Sequence, residues 1–313
     1  MAKLILHRLL WTVPLLFIVS VLTFVLLALT PGDPAAAVLG TAATPENVDA
    51  LREQLGLNQP WYLQYWNWLT SALTGDLGTS LINRTPVIGQ LTSRLPVTLS
   101  LVAAATVVSA VFGIAFGVFS AVRGGWAGRM TDAFSMLGFA IPNYWLGLIL
   151  VMVFSVQLRL LPATGFTPIT DDAGKWLASI ALPVITLAVG GITMVAKNTR
   201  DAMRDVMGRD FIDNLRAEGW PEGRIVFRHA LRNASIPIVT AIGVFFVGVL
   251  GGTVLVENVF AMPGLGGLAV SSTQSHDIPV LLGVTLFFCT GVVIVNLIVD
   301  IVYGLLNPKA RAS

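Results

Sequence analysis

Six stretches of the chain contain no Asp, Glu, Lys or Arg: 9–30, 97–122, 133–156, 176–196, 235–256 and 278–299. Each has about 20 residues or more, the length at which a helix crosses about 30 Å of hydrocarbon. A helix also satisfies its own backbone polar groups where no water is available. The pattern predicts an all-α membrane protein, a polytopic bundle of six transmembrane helices forming a single domain over residues 1–313. Two polar segments between the stretches, 31–96 and 197–234, are too long to be simple connections.

Composition agrees. Hydrophobic residues make up 55% of the chain and charged residues 12%, against about 25% charged in an ordinary soluble domain. Arg52, Arg84, Arg94, Arg159 and Lys175 fall on one side of such a bundle, and the other fourteen of the 19 Lys and Arg fall on the opposite side. The positive-inside bias then places both termini in the cytoplasm and 31–96 outside. The first stretch follows Lys3 and Arg8, is too long for a cleaved signal sequence, and reads as a retained first helix. The single cysteine, Cys289, excludes an internal disulfide and reads as a packing residue in the sixth stretch.

In the outer segment, Thr44, Pro45 and Glu46 predict a capped helix that runs to Leu55 and stops at Gly56. Pro60 opens a second helix, to near Gly75, that carries Trp61, Tyr62, Tyr65, Trp66 and Trp68. Such a helix suits the headgroup level of a membrane, and it equally suits a docking surface for an external protein. In the third stretch Pro142 predicts a kink. Asn143 beside it reads either as packing or as a polar contact in a passage. Gly243, Gly248, Gly251 and Gly252 in the fifth stretch allow close helix approach. Asn296, Asp300 and Tyr303 share one face near the end of the sixth, where Asp300 reads as a contact with a neighbouring helix.

The inner segment is a polar helix-turn-helix, which spanning alone does not require. Asp210 can cap a short helix with Phe211 and Leu215 on one face, two apolar side chains that need a groove to fill. Gly219 suits a left-handed helix end. Pro221 opens a second helix with Glu222 in its first turn. There Arg224, Arg228 and Arg232 form a basic stripe, suited to lipid phosphate or to the acids of a partner. Pro237 marks the return to the membrane.

This segment resembles the EAA loop of bacterial ABC importer permeases, with Ala217, Gly219 and Pro237 at its defining positions. The resemblance extends over nearly the whole chain and narrows to the dipeptide/oligopeptide/nickel permeases. It is carried by Arg8-Leu9-Leu10, Thr30-Pro31-Gly32-Asp33-Pro34, Gln54-Leu55-Gly56-Leu57, Gly75-Asp76-Leu77-Gly78 and Arg94-Leu95-Pro96 in the first third. His229-Ala230-Leu231-Arg232-Asn233, Glu257-Asn258-Val259-Phe260, Pro263-Gly264-Leu265-Gly266 and the Asn296 to Asp300 tail continue it. Leu215, Glu218 and Asn307 depart from the usual alanine, lysine and aspartate.

The resemblance implies a type I ABC importer permease-like fold in the bacterial cytoplasmic (inner) membrane. It implies a coupling helix whose ATPase-coupling residues are Asp210, Phe211, Asn214, Leu215, Ala217, Glu218 and Gly219. It implies a passage lined by the later spans, with Pro142, Asn143, Gly248 and Gly252 as candidates. The partners it implies are a second homologous permease, as a heterodimer, two cytoplasmic ATPase subunits or domains, and an extracytoplasmic substrate-binding protein. The cargo would be short peptides, while relatives carry nickel chelates, haem or other small solutes.

Other classes fit less well. No Gly-x-x-x-x-Gly-Lys-Ser/Thr phosphate loop occurs, so no cofactor is expected on this chain, and ATP and Mg belong to the partners. His7, His229 and His276 lack metal-ligand spacing and no Gly-x-Ser-x-Gly run exists, so no catalytic or metal residue is assigned and an enzyme is not expected. An independent secondary transporter or channel would carry paired broken helices and mid-membrane coupling sites, and only Pro142 marks a break. Lipid is the expected surrounding; nucleic acid is not an expected partner.

Overall fold

The computed structural model describes residues 2–306, and the expectations on Asn307, Lys309 and Arg311 lie outside them. The helices are α1 (Ala2–Leu29), α2 (Pro34–Leu39), α3 (Pro45–Gln54), α4 (Trp61–Leu73) and α5 (Val87–Arg123). Then come α6 (Gly125–Ala140), α7 (Asn143–Leu150), α8 (Ala173–Met207) and α9 (Asp210–Ala217). The short α10 (Glu222–Arg224), α11 (Leu231–Val259), α12 (Leu265–Gln274) and α13 (Ile278–Leu306) complete the order. Two π-helical stretches are spliced in, Val151–Gln157 after α7 and Ile225–Ala230 between α10 and α11.

Among the described residues, 5 helices are long and apolar enough to cross a membrane, not the six expected. The third stretch is broken rather than kinked. α6 ends at Ala140, and Pro142 is extended at φ −63° and ψ 131°. It starts a new helix by accepting the amides of Trp145 (3.0 Å) and Leu146 (3.1 Å) on its carbonyl. The remaining apolar helix, Asn143–Gln157, is shorter than the others. Boundaries differ for the same reason in reverse: Pro96 and Pro237 sit inside α5 and α11 instead of opening them. A proline removes one backbone bond, and the packing of a long apolar helix can offset that loss.

The chain divides into two units. Of the described residues, the first comprises 99–261 and 294–306 and is organised on α8. α5 can lie against α8 because two glycines leave the space. A Cβ on Gly113 would stand 2.6 Å from the Val195 Cβ, and one on Gly117 2.6 Å from the Ala196 carbonyl oxygen. The Ser109 hydroxyl donates to the Ala188 carbonyl at 3.2 Å in the same seam. On the next face, Gly191 accommodates the Phe245 ring of α11. Gly147 of α7 lies beside Thr186 and Phe260. Of the fifth-stretch glycines, Gly243 meets the Val299 side chain of α13. Gly248 and Gly251 are exposed with open space where a side chain would go, so they do not serve close packing within this chain.

The second unit comprises 2–98 and 262–293. α3 is capped by the Thr44 hydroxyl and ends before Gly56, whose φ is 68°. On α4 the aromatic residues divide. Tyr65 is buried, its hydroxyl 2.8 Å from the Ser20 hydroxyl of α1 and its ring edge-on to Phe24, while Trp61, Tyr62 and Trp66 stay exposed. The start of α5 packs against α12 and α13 through Val87, Leu91, Leu265, Leu268, Val280 and Val284. The buried Asp277 carboxylate accepts the Ser80 hydroxyl and the Leu81 amide (3.1 Å), clipping the 75–86 segment to the α12–α13 turn.

Replacing Gly117 by valine should force α5 off α8 and destabilise the first unit by about 1–3 kcal/mol, as overpacking does. Gly190→Ala, whose new methyl would meet nothing within 4 Å beyond its own stretch of helix, should be near neutral. Thermal unfolding in detergent, read for both variants, checks the contrast; equal melting temperatures would contradict the glycine seam.

Candidate functional site

α8 is 35 residues long, about 52 Å at 1.5 Å per residue, and therefore exceeds the roughly 30 Å hydrocarbon core. Its last turns carry α9 beyond the apolar region, and α10, the π-helical stretch and α11 return. The inner segment is thus mostly extensions of two spans, with α9 and one turn between them.

The apolar side of α9 differs from the expected pair. Ile212 is fully buried, with Phe211 and Leu215 half-buried beside it. All three pack on Met203 and Val206 of α8 and on Ile225, Val226 and Ala230. Phe211 and Leu215 therefore fill a groove in their own chain. The reason is the third member: Ile212 widens the apolar stripe enough to seat α9 on the α8 extension. The exposed residues are Asp210, Asp213, Asn214, Arg216, Ala217 and Glu218, all polar except Ala217.

The turn after α9 is locked in several ways. Gly219 takes φ 80°, a left-handed geometry open to glycine at little cost. Its amide donates to the Arg216 carbonyl (3.0 Å) and the Trp220 amide donates to the Leu215 carbonyl (3.1 Å), the paired bonds of a Schellman cap. Trp220 lies on the Leu215 side and stacks edge-on with His229, ring centroids 5.6 Å apart. The Arg224 guanidinium lies 5.3 Å from the Trp220 ring, a cation–π contact. Arg216 bridges the two arms, donating to Asp213 at 3.1 Å and to Glu222 at 2.9 Å. Those hydrogen bonds hold the Glu222 carboxyl below its ordinary range and raise the Arg216 guanidinium above its own. Arg224, Arg228 and Arg232 are all exposed.

Charged residues buried inside the first unit were not singled out from sequence. Arg200 of α8 is 7% exposed and donates to Asp132 of α6, while Lys197 lies 3.8 Å from the same carboxylate. Glu257, in the last turn of α11, is fully buried. An arginine one turn past an apolar stretch signals nothing by itself; its burial depends on Gly128, whose missing side chain makes room for the guanidinium.

The passage candidates are spread along the unit. Pro142 is exposed at the break, Asn143 is half-buried as the first residue of α7, and Gly248 is exposed on α11. Gly252 is half-buried, with a Cβ position 3.8 Å from the Leu187 side chain. Metal-ligating side chains do not cluster among the described residues.

The chain matches the family described as "Binding-protein-dependent transport system inner membrane component" over residues 113–312, and that family's N-terminal region over 1–102. It is 38% identical over 308 residues to a probable peptide ABC transporter permease protein, y4tP, of Sinorhizobium fredii, covering 98% of both chains. It is 39% identical over 312 residues to the glutathione transport system permease protein GsiC of Escherichia coli K12, covering 99% of both. A solved structure of the MetNI methionine ABC transporter superposes with a TM-score of 0.58 at 17% identity, over 70% of this chain and 97% of that one, a likeness of fold.

Ile212→Ala should loosen α9 by about 2–5 kcal/mol, the range for emptying a fully buried aliphatic site. Hydrogen exchange of amides 210–217 checks it, with protection lost there and kept in α5. The Arg216–Glu222 bond adds a pH dependence. Because the Glu222 pKa is lowered in the folded state, its contribution is present above the unfolded value and is lost as pH falls through the folded one. Exchange in the 216–222 turn should therefore accelerate on acidification, and Glu222→Gln should remove that acceleration.

Proposed function

The chain belongs to the binding-protein-dependent transport system inner membrane components and is the permease subunit of an ABC importer; from that premise we propose that it forms one half of a translocation path for short peptides. Its partners in this reading are a second related permease, two cytoplasmic ATPases that carry ATP and Mg, and an extracytoplasmic binding protein that presents the cargo. Both termini and α9 lie on the cytoplasmic side. The peptide assignment draws on the names of relatives that match over nearly their full length, among them a peptide permease and a glutathione permease.

One observation carries the mechanism: α9 is seated by its apolar side on the extensions of α8 and α11, with its polar side turned outward. A helix so seated moves with the two spans. When ATP closes the ATPase pair, a cleft that grips the outward stripe of Asp210, Asn214, Ala217 and Glu218 displaces α8 and α11 as a rigid body, the usual form of such a switch. Phe211, Leu215 and Gly219 act one step back, holding α9 at its angle. The gripping surface on the ATPase is polar and complementary to carboxylates. The passage runs along α7 and α11, past Pro142, Asn143, Gly248 and Gly252.

The test separates the two sides of α9 in the assembled importer. Asp210→Arg with Asn214→Arg should abolish co-purification of the ATPases and cargo uptake while leaving exchange protection of α9 intact. Phe211→Ala with Leu215→Ala should lower that protection first and weaken ATPase binding in proportion. Normal assembly and uptake in the arginine pair would place the coupling surface elsewhere.

A further inference from the structure

The end of α5 carries two apolar clefts that share one wall and one charge. The first, about 720 Å³, lies between α5, α6 and α8 and is lined by Phe116, Trp126, Met130, Phe134, Val189 and Ile192. The second, about 550 Å³, lies on the other side of α5 and is lined by Ile114, Val118, Val122, Val226 and Phe227. Phe119 and Arg123 border both. The Arg123 guanidinium sits 5.5 Å from the Phe119 ring, at the point where the uncharged stretch of α5 ends. Both volumes fall within the roughly 300–1,000 Å³ of pockets that enclose a ligand.

We propose that these paired clefts bind one anionic diacyl phospholipid, which straddles Phe119 with a chain in each cleft and its phosphate on Arg123. The chemistry matches at three points. Arg123 is exposed and has no ion-pair partner among the described residues, so it can accept an anion. The one acid on either wall, Glu222, is occupied by Arg216. The walls are otherwise alkyl and aromatic, apart from Thr131 and Thr193, and the Thr193 hydroxyl already donates to the Gly190 carbonyl. A peptide cargo would leave its amides unpaired against such walls, whereas acyl chains carry no such groups.

The site also joins moving parts. The second cleft is bounded on one side by α5 and on the other by Glu222, Val226 and Phe227, next to the turn that carries α9. A lipid held there wedges the α10–α11 arm against α5, so its headgroup charge bears on the position of the helix-turn-helix.

The test uses the whole importer complex, extracted in mild detergent and supplied with equal phosphatidylglycerol and phosphatidylethanolamine, with retained lipid read by native mass spectrometry. The wild type should keep phosphatidylglycerol in preference. Arg123→Gln should lower that retention about five-fold, the value of one basic residue at a lipid surface, and Arg123→Lys should preserve most of it. Val189→Trp, which fills the first cleft, should reduce retention of phosphatidylglycerol whatever its charge interaction. Equal retention of the two lipids by the wild type, or unchanged retention in Arg123→Gln, would overturn the proposal. So would efficient crosslinking to another subunit in native membranes from a photoreactive residue in place of Trp126, because protein would then cover the cleft. If a variant fails to assemble, the wild-type comparison of the two lipids decides the matter.

Discussion

The contact between α5 and α8 is set by two missing side chains. With hydrogen at Gly113 and Gly117, the helices approach until Val195, Ala196 and Thr199 press on the opposite backbone. Dispersion contacts fall off steeply with small gaps, so this closeness is what lets the largely uncharged helices hold each other in a lipid surrounding, where the hydrophobic effect gives helix association no drive. α8 is consequently met by α6, α7 and α11 as well as by the glycine seam of α5, and Arg200 can be buried near its end against Asp132. A helix held so firmly in the unit can carry a load from its tip.

α9 is joined to that tip through a small mixed core. Ile212 is the central piece, and the Schellman turn at Gly219 directs the chain back so that Trp220 covers Leu215. The contacts that seat α9 are apolar and intramolecular, and the groups left outward are, Ala217 apart, carboxylates, an amide and the Arg216 guanidinium. In the proposed reading, seating and recognition are therefore divided between two faces of an eight-residue helix. A partner can exchange its contacts on the outer face without disturbing the seat.

Much of this was legible in the sequence. Runs without charge marked the spans, because burying charge in hydrocarbon is costly, and Gly56 and Gly219 marked helix ends because glycine takes a left-handed backbone at little cost. The family resemblance located α9. What was not legible depended on neighbours distant in sequence. Phe211 and Leu215 read as a pair seeking a partner because the pocket that receives them is made by Met203, Ile225 and Val226, which show no sign of it in order. Pro96, Pro142 and Pro237 look alike in a string, yet only Pro142 interrupts a helix. Packing around α5 and α11 carries the other two. The buried Arg200 needed Gly128 on another helix to make room for it.

The π-helical stretch Ile225–Ala230 stands between the α9 turn and the long run of α11. A π turn holds an extra residue relative to an α turn, as if one residue had been inserted into a finished helix. Removing one residue from 225–230 would let the arm relax into regular α-helix, at the expense of the Ile225, Val226 and Ala230 contacts that seat α9. It would also rotate everything before it by about 100° about the helix axis, the angle of one α-helical residue. Ile212 and the turn would then face away from α8. Length in this short stretch acts as a phase setting between the span and α9, so an alignment gap here carries more weight than several substitutions elsewhere in the arm.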